Sequence, residues 1–146
     1  MATKIGLEFK GYKELLAKFE KLGGNVEKTV EKMEIESQKH IADKAQKAIA
    51  THHRTGKTEK SIVRDGHVEW SGFTASIDVG FDLTHGGLPS VFLMYGTPRR
   101  TKGHNRGKVD KDVNLYNSVY GRATKKEVAQ LQQDIYESEM KKILGS

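Results

Sequence analysis

The chain contains no cysteine, and this absence removes several kinds of chemistry at once. Disulfide frameworks, zinc–thiolate sites and cysteine nucleophiles all need a thiol, so we expect none of them. No apolar run approaches the roughly 18 residues that span a bilayer, and residues 1–6 form no apolar signal region. The sequence therefore predicts a protein without membrane segments that is made, and assembles, in a cytoplasm.

Apolar residues are also scarce. They make up 36% of the 146 residues, and charged residues make up 30%, which is more polar than a typical globular domain. A chain of this length is expected to fold as one domain with a single modest core. We therefore predict one domain over residues 1–146, with part of its order supplied by neighbouring subunits or missing in places.

The basic excess is confined to one stretch. The formal net charge is +6, but the segment from Arg99 to Lys126 has nine cations against two carboxylates and carries +7, which leaves −1 for the rest. Three interpretations of such a segment are open: a solvated charge run, a contact for an acidic protein, or a contact for DNA phosphate. Contact with DNA phosphate would be independent of base sequence and sensitive to salt. The candidate contact residues are Arg99, Arg100, Lys102, Arg106, Lys108, Lys111 and Arg122.

One long amphipathic helix is the clearest helical element. Apolar or small residues recur every three or four positions over residues 26–48, which predicts a helix of about 25 residues. Before it, strict alternation over residues 5–9 predicts a short strand. The apolar spacing over residues 15–22 predicts a first helix that ends at a pair of glycines.

A β region follows the long helix. Strict alternation from Phe73 to Phe81 predicts the clearest strand in the chain, and Ser71-Gly72 before it is typical of a hairpin turn. Residues 61–64 and 67–70 are shorter strand candidates. Residues 91–95 form a continuous apolar run that could be a buried strand or one helical turn, and periodicity does not decide between them.

The remaining sequence predicts a loop and a last helix. Residues 99–121 have little apolar content and no sustained period, so we expect an extended basic loop there. Thr124, with Glu127 three residues later, is typical of a capping box that starts a C-terminal helix. Together the elements predict an α+β fold: a mostly antiparallel sheet of three to five strands packed on one long helix, with N-terminal and C-terminal flanking helices and a long basic loop.

No motif for catalysis or metal binding stands out. The six histidines lack ligand spacing such as His-Glu-x-x-His, and no serine lies in a Gly-x-Ser-x-Gly elbow. Gly56-Lys57-Thr58 looks like the end of a phosphate loop, but Thr51 stands where that motif requires glycine. We therefore predict no catalytic residue, metal site, cofactor or enzymatic activity; convergence of Asp78, Asp82 and His85 in space would argue for an enzyme.

Three segments resemble the tail-completion or neck proteins of long-tailed double-stranded DNA bacteriophages, also called minor tail or head–tail joining proteins. They are the opening strand with GYKELLAKFEKLGGNVEKTVEKM, the segment IADKAQKAIATHHRTGKTEKSI, and FLMYGTPRR. In the second segment the residues that match the family's signature are Arg54, Thr55, Gly56, Lys57, Ser61 and Ile62, whereas Thr58 replaces its usual apolar residue. In the third, Tyr95, Gly96 and Thr97 occupy the family's Gly-Thr motif and the aromatic or acidic position before it.

These motif residues also have physical roles. Gly56 directly after a helix is suited to a positive φ, and Thr55 can bond locally to the backbone of the turn. Ser61 and Ile62 are expected to begin the sheet. All of these are roles in folding, and none requires catalysis.

The resemblance implies a structural virion protein. It implies a ring of copies of this chain, most simply a hexamer, that joins the head-closure or connector protein to the tail terminator protein and surrounds the DNA passage. The implied location is the neck of the virion, after assembly in the host cytoplasm, with non-specific contact to DNA phosphate in the lumen and no contact with a membrane. The alternative is a stand-alone basic module that binds nucleic acid through residues 99–126.

Overall fold

The computed structural model describes residues 5–9, 17, 26–53, 55–97 and 109–143. Its elements are strand β1 (Ile5–Phe9), helix α1 (Val26–Ile49), a 3₁₀ turn (Ala50–His52), the one-turn helix α2 (Lys57–Lys60), strands β2 (Val68–Ser71) and β3 (Thr74–Val79), a second 3₁₀ turn (Leu83–His85), and helices α3 (Pro89–Tyr95), α4 (Val113–Tyr120) and α5 (Arg122–Ile143). None of these helices is both long and apolar enough to cross a membrane. The helix predicted over residues 15–22 lies outside the described residues, apart from the helical Ala17.

Helix α1 is the centre of the fold. It has 24 residues, and the predicted apolar stripe is buried from Val26 to Ala45. One cluster joins Val26 and Val30 to Ala75 of β3. The other joins the C-terminal half of α1 to Ile77 of β3 and to α4. Full burial of each such aliphatic side chain stabilises the fold by about 1.5–3 kcal/mol. The helix therefore holds the sheet and the other helices together.

The sheet is small and antiparallel. Its strand order is β1-β3-β2, with Ile5 opposite Val79 and Val68 opposite Ile77. The predicted hairpin is confirmed: β2 ends at Ser71, and Gly72 adopts φ +61° in the turn before β3. Every second residue of β3 faces α1 and is buried, as strict alternation predicts.

The α+β class is confirmed, but helices dominate the described chain. The sheet has three antiparallel strands, but the predicted picture, in which it is the main layer packed on one long helix, is wrong: α1 is shared between the small sheet, α4 and α5. Residues 61–64 do not form a strand and contribute only an isolated bridge between Ile62 and Phe81. Ser61 instead completes α2, since its hydroxyl donates to the Thr58 carbonyl at 2.6 Å. The expectation that Ser61 and Ile62 begin the sheet is therefore wrong.

The apolar run at residues 91–95 lies in a helix. Pro89 stands in the first turn of α3, where its fixed φ fits and its missing amide is not needed. Gly96 ends the helix with φ +72°. Periodicity did not distinguish a strand from a helix at residues 91–95. The flanking residues Pro89 and Gly96 favour the helix.

The prediction of one extended loop over residues 99–121 is wrong for its C-terminal part. Helix α4 occupies Val113–Tyr120, and Asp112 caps it by accepting a hydrogen bond from the Leu115 amide at 2.9 Å. Leu115 and Val119 are buried one turn apart. These two side chains pack into the core against α1, and Tyr116 and Tyr120 of the same helix pack against it in part.

The predicted start of the last helix is also wrong. Helix α5 begins at Arg122, directly after Gly121, so Thr124 lies inside it and does not cap it. Thr124 is buried, and its hydroxyl donates to the carbonyl of Asn117 in α4 at 2.6 Å. A Cβ at Gly121 would lie 2.5 Å from that same carbonyl. The tight corner between α4 and α5 therefore requires glycine.

Candidate interaction surface

Five exposed large apolar side chains lie together around helix α3. Leu88, Phe92 and Tyr95 are spaced by four and three residues, so they share one face of the helix. That face is turned to solvent, with exposed fractions of 52%, 48% and 54%. Val109 and Val113 on the neighbouring segment are also exposed. We call these five residues the α3 surface, and contiguous apolar exposure of this kind marks interaction sites.

A groove of about 550 Å³ adjoins the α3 surface. Ile49 at the end of α1 and His52 in the 3₁₀ turn that follows form one side, and Phe92 and Val109 form the other. Gly56 lies in the wall between them. The groove is therefore mainly apolar, with polar groups at its rim, as ligand and partner sites commonly are.

The Thr55–Ile62 segment shapes one wall of this groove. Gly56 adopts φ +78°, as expected for glycine after a helix. The Thr55 hydroxyl accepts a long hydrogen bond from the Lys57 amide at 3.4 Å, which agrees with the predicted local bond. Ser61 and Ile62 are buried beneath the wall. Arg54 lies outside the described residues.

The Tyr95-Gly96-Thr97 motif fixes the opposite wall. The Thr97 amide donates to the Val109 carbonyl at 2.8 Å, and the Val109 amide donates to the Thr97 hydroxyl at 2.9 Å. A Cβ on Gly96 would lie 2.9 Å from the same carbonyl, so glycine permits this approach. Tyr95 packs edge-to-face on Tyr116, with ring centroids 5.8 Å apart. The motif thus places Val109 beside Phe92.

Two histidine–carboxylate contacts tie the groove to its surroundings. His52 lies 2.6 Å from Asp112, which joins the end of α1 to the start of α4, and His53 lies 2.6 Å from Glu59. Partial burial acts to raise the pKa of Asp112, but hydrogen bonds from the Leu115 amide and from His52 outweigh it and leave the pKa below its usual value. The carboxylate at this corner is therefore ionised and holds the two helices together.

Only two of the predicted basic contact residues fall in the described chain. Lys111 is exposed, with its ammonium 4.7 Å from the centroid of the Tyr116 ring. Arg122 is exposed at the start of α5, just after the C-terminal end of α4 in the chain. The candidates that lie outside the described residues are Arg99, Arg100, Lys102, Arg106 and Lys108.

The start of α5 has an unfavourable charge pattern. Arg122, Lys125 and Lys126 are exposed there, and the first turn contains no acidic residue. The positive end of a helix dipole favours carboxylates and disfavours cations, by about 0.3–1 kcal/mol each. This cluster therefore costs stability in the isolated chain, and an anionic partner would offset that cost.

The geometry that would have argued for an enzyme is not found in the described chain. Asp82 and His85 contact each other at 2.8 Å within one turn. Hydrogen bonds from Thr84 and His85 lower the pKa of Asp82 to about 2. Among the described residues, no group of three His, Asp or Glu side chains could hold a metal ion, so Asp78 does not complete such a group.

A buried carboxyl lies in the middle of α1. Glu34 is fully buried, and neither of its oxygens has a hydrogen-bond partner among the described residues. Burial raises its pKa to about 8, because a charge in this position would be poorly solvated. Burial of Glu34 could not be predicted from sequence, since glutamate is common on the exposed faces of helices.

Sequence reasoning missed the α3 surface. Leu88, Phe92 and Tyr95 have helical spacing, which could have suggested a shared face. Their exposure could not be inferred, because an apolar run between glycines normally indicates burial. The chain matches no protein-family model, no curated protein and no solved structure.

Proposed function

We propose that this chain is a structural subunit of the neck of a long-tailed bacteriophage. Copies of it form a ring that joins the head-closure or connector protein to the tail terminator protein, around the passage for DNA. One observation carries the proposal: of the two described motifs shared with neck proteins, one lines an apolar groove through Thr55 and Gly56, and the other hydrogen-bonds through Thr97 to Val109, which lines the same groove.

The exposed apolar groups support assembly. The α3 surface and the groove present side chains such as Phe92 and Tyr95 to solvent, although the chain has few apolar residues overall. Aromatic residues are enriched where protein interfaces bury most area. Binding of a neighbour to the folded form stabilises it by mass action. A polar subunit with a small core gains most from such contacts.

The motif residues have structural roles that suit a scaffold protein. Gly56 and Gly96 permit backbone conformations with positive φ, and Thr97 holds Val109 through two hydrogen bonds. None of these roles needs a reacting group. Their effect is to fix the shape of a binding surface.

The basic residues are the proposed contact for anionic partners in the neck. Arg122, Lys125 and Lys126 crowd the positive end of α5, and the remaining cations of the stretch precede them in sequence. DNA phosphates in the lumen, or acidic side chains of an adjoining ring, would neutralise this charge. Such contacts are independent of base sequence.

Deletion of the gene in the phage that carries it tests the proposal. The expected result is filled heads and complete tails that remain unjoined, with joining restored by the wild-type gene supplied in trans. Complementation by Phe92→Ser should fail, whereas Lys39→Gln, an exposed change on α1 far from the groove, should succeed. Normal joined particles after the deletion would rule the proposal out.

The charge at the start of α5 also favours a second candidate, a stand-alone module that binds nucleic acid through residues 99–126. This candidate predicts that the isolated monomer binds duplex DNA with an affinity that falls steeply with salt. It also predicts that the triple change of Arg122, Lys125 and Lys126 to glutamine reduces that salt dependence. Weak binding at physiological salt, combined with assembly, would favour the neck.

A further inference from the structure

A second cleft, of about 600 Å³, lies where the C-terminal half of α1 meets the corner between α4 and α5. Eight of the ten residues that line it have polar or charged side chains, and none is aromatic. Lys44 and Lys47 come from α1, Asn114 and Asn117 from α4, and Glu127 from α5. We call it the α1–α5 cleft. Its lining is polar, in contrast to the apolar groove beside α3.

Glu127 shows that the cations of this cleft can hold an oxyanion. Its Oε2 atom accepts a hydrogen bond from Lys44 Nζ at 2.8 Å, and His40 Nε2 lies at the same distance. Hydrogen bonds from Lys44 and His40 lower the pKa of Glu127, so this carboxyl is ionised. Among the described residues Glu127 is the one acid that lines the cleft. Lys44 neutralises it, and the positive charge of Lys47 is left over.

Three donor side chains of the lining have no partner among the described residues. They are the ammonium of Lys47 and the amides of Asn114 and Asn117, and all three residues are exposed. By contrast, the Thr124 hydroxyl already donates to the Asn117 carbonyl at 2.6 Å. Lysine and asparagine side chains are common donors to the phosphate oxygens of nucleic acids. The cleft therefore presents donors of the type that a phosphate group needs.

Helices α1 and α5 run antiparallel to each other. Lys32 pairs with Glu139 at 3.0 Å toward one end of the pair, and Lys44 pairs with Glu127 at 2.8 Å toward the other. The cleft therefore lies at the end that combines the C-terminal half of α1 with the first turns of α5.

Positive charge is concentrated at this end of the pair. Residues 40–49 and 122–130, at the cleft end, contain five lysine or arginine residues and two acids. Residues 26–39 and 131–143, at the other end, contain five lysines and seven acids. Such a charge distribution steers an anionic partner toward the cleft end and away from the opposite end.

The composition of the cleft end favours phosphate over an acidic protein. Protein interfaces are depleted of lysine and enriched in aromatic residues, whereas this lining contains two lysines and no aromatic residue. Interfaces with nucleic acid are more polar and more positive. Arg122, Lys125 and Lys126 are exposed and have no partner among the described residues. Lys126 lies one helical turn from Ala123 of the lining, so these cations extend the rim of the cleft.

We propose that the α1–α5 cleft binds the phosphodiester backbone of nucleic acid, with Lys47, Asn114 and Asn117 as donors to one phosphate. The exposed cations at the start of α5 contact neighbouring phosphates. Binding of this kind is independent of base sequence and weakens with salt. The inference rests on the proposed neck function only for the source of the phosphates, which is the DNA in the passage through the ring.

Fluorescence anisotropy of a labelled DNA duplex of mixed sequence, titrated with the full-length chain, tests the cleft. Wild type should bind at low salt. Lys47→Gln should weaken binding about eightfold at roughly 0.1 M salt, and should lower the slope of log affinity against log salt by about 0.9, as expected for one lost phosphate contact. Lys142→Gln makes the same change in charge at the opposite end of the helix pair, and its affinity should stay close to that of wild type.

Asn114→Asp separates binding from folding. The change keeps the size of the side chain and places a carboxylate in the first turn of α4, where the helix dipole favours it. The unfolding temperature should therefore not fall, whereas the affinity for the duplex should fall by a factor similar to that for Lys47→Gln. Gln133→Glu makes the same change in charge at an exposed position of the other end, and should leave the affinity almost unchanged.

Four results would overturn the inference. The first is no binding of the duplex at low salt, and the second is unchanged affinity in both Lys47→Gln and Asn114→Asp. The third is an equal loss in Lys47→Gln and Lys142→Gln, which would show that net charge alone decides binding. The fourth is competition by polyglutamate as strong as that by unlabelled duplex, which would assign the cleft to an acidic protein partner.

Failure of the cleft and failure of the neck function give different results. Unchanged binding in the cleft variants, together with unjoined heads and tails after gene deletion, would reject the cleft and leave the neck function in place. Weakened binding in the cleft variants, together with normal particles after deletion, would reject the neck function and keep the cleft. Circular dichroism of each variant checks that the fold is intact.

Discussion

Thr97 and Val109 hold each other through two hydrogen bonds: the Thr97 amide donates to the Val109 carbonyl at 2.8 Å, and the Thr97 hydroxyl accepts from the Val109 amide at 2.9 Å. Thr97→Val keeps the shape of the side chain but leaves the Val109 amide without this acceptor. We expect the free energy of unfolding to fall by about 0.5–1.5 kcal/mol, measured by urea denaturation. Thr97→Ser keeps the hydroxyl and should lose much less. An equal loss in both variants would show that the hydroxyl does not hold Val109.

Alanine substitutions at Gly96 and Gly66 distinguish the cost of backbone strain from the cost of a steric contact. Both adopt positive φ, +72° and +65°. A Cβ at Gly96 would lie 2.9 Å from the Val109 carbonyl, whereas nothing lies within 4 Å of a Cβ at Gly66. We expect Gly66→Ala to cost about 1–2 kcal/mol from the backbone alone and Gly96→Ala to cost more, in the same urea assay. Equal losses would mean that Val109 moves aside freely.

Glu34 predicts a dependence of stability on pH. Its pKa is about 8 in the folded chain, against 4.5 for an ordinary glutamate carboxyl, so between these values the folded state binds a proton that the unfolded state has released. The free energy of unfolding therefore falls as pH rises through this window, by at most about 1.4 kcal/mol per pH unit. Glu34→Gln should remove this slope and stabilise the chain at pH 8.

A matched carboxylate provides the control for this titration. Glu36 lies on the surface of the same helix and pairs with Lys39 at 3.2 Å. Glu36→Gln should change stability by less than about 1 kcal/mol and should retain the slope between the two pKa values. If Glu34→Gln and wild type lose stability in parallel over this range, the buried carboxyl does not titrate as stated.

The charge at the start of α5 predicts a stabilising substitution. Lys125→Gln removes one cation from the positive end of the helix and should raise the free energy of unfolding by about 0.3–1 kcal/mol. Lys142→Gln in the last turn removes a cation from the favourable end, and also a contact with Glu139 at 3.3 Å, so it should destabilise. Thermal unfolding at low salt compares the two. A change in stability of the same sign in both variants would contradict the dipole argument.

Much of the fold follows from local pattern. The stripe of α1 repeats over six turns and the alternation of β3 over six residues, so both are identified from sequence. Helix α4 was missed because Leu115 and Val119 are its only fully buried apolar residues, and its cap, Asp112, follows a run of cations. Short elements held by tertiary packing leave little periodic signal.

The candidate surface was predicted only in its parts. Gly56 and Gly96 were identified through the resemblance, 40 residues apart in the chain. Gly56 lines the groove, whereas the segment with Gly96 is linked to it only through the hydrogen bonds between Thr97 and the lining residue Val109, a contact with no local signature. Exposure of Phe92 is likewise set by the packing of the fold around α3, which periodicity does not report.

The central claim is that copies of this chain form a ring in the phage neck. Cryo-electron microscopy of the neck in intact particles tests it most directly. The account predicts a closed ring of this subunit between the head-closure and tail terminator rings, with the start of α5 facing DNA or an adjoining ring. A neck map fully explained by other proteins, with no density for this fold, would contradict it.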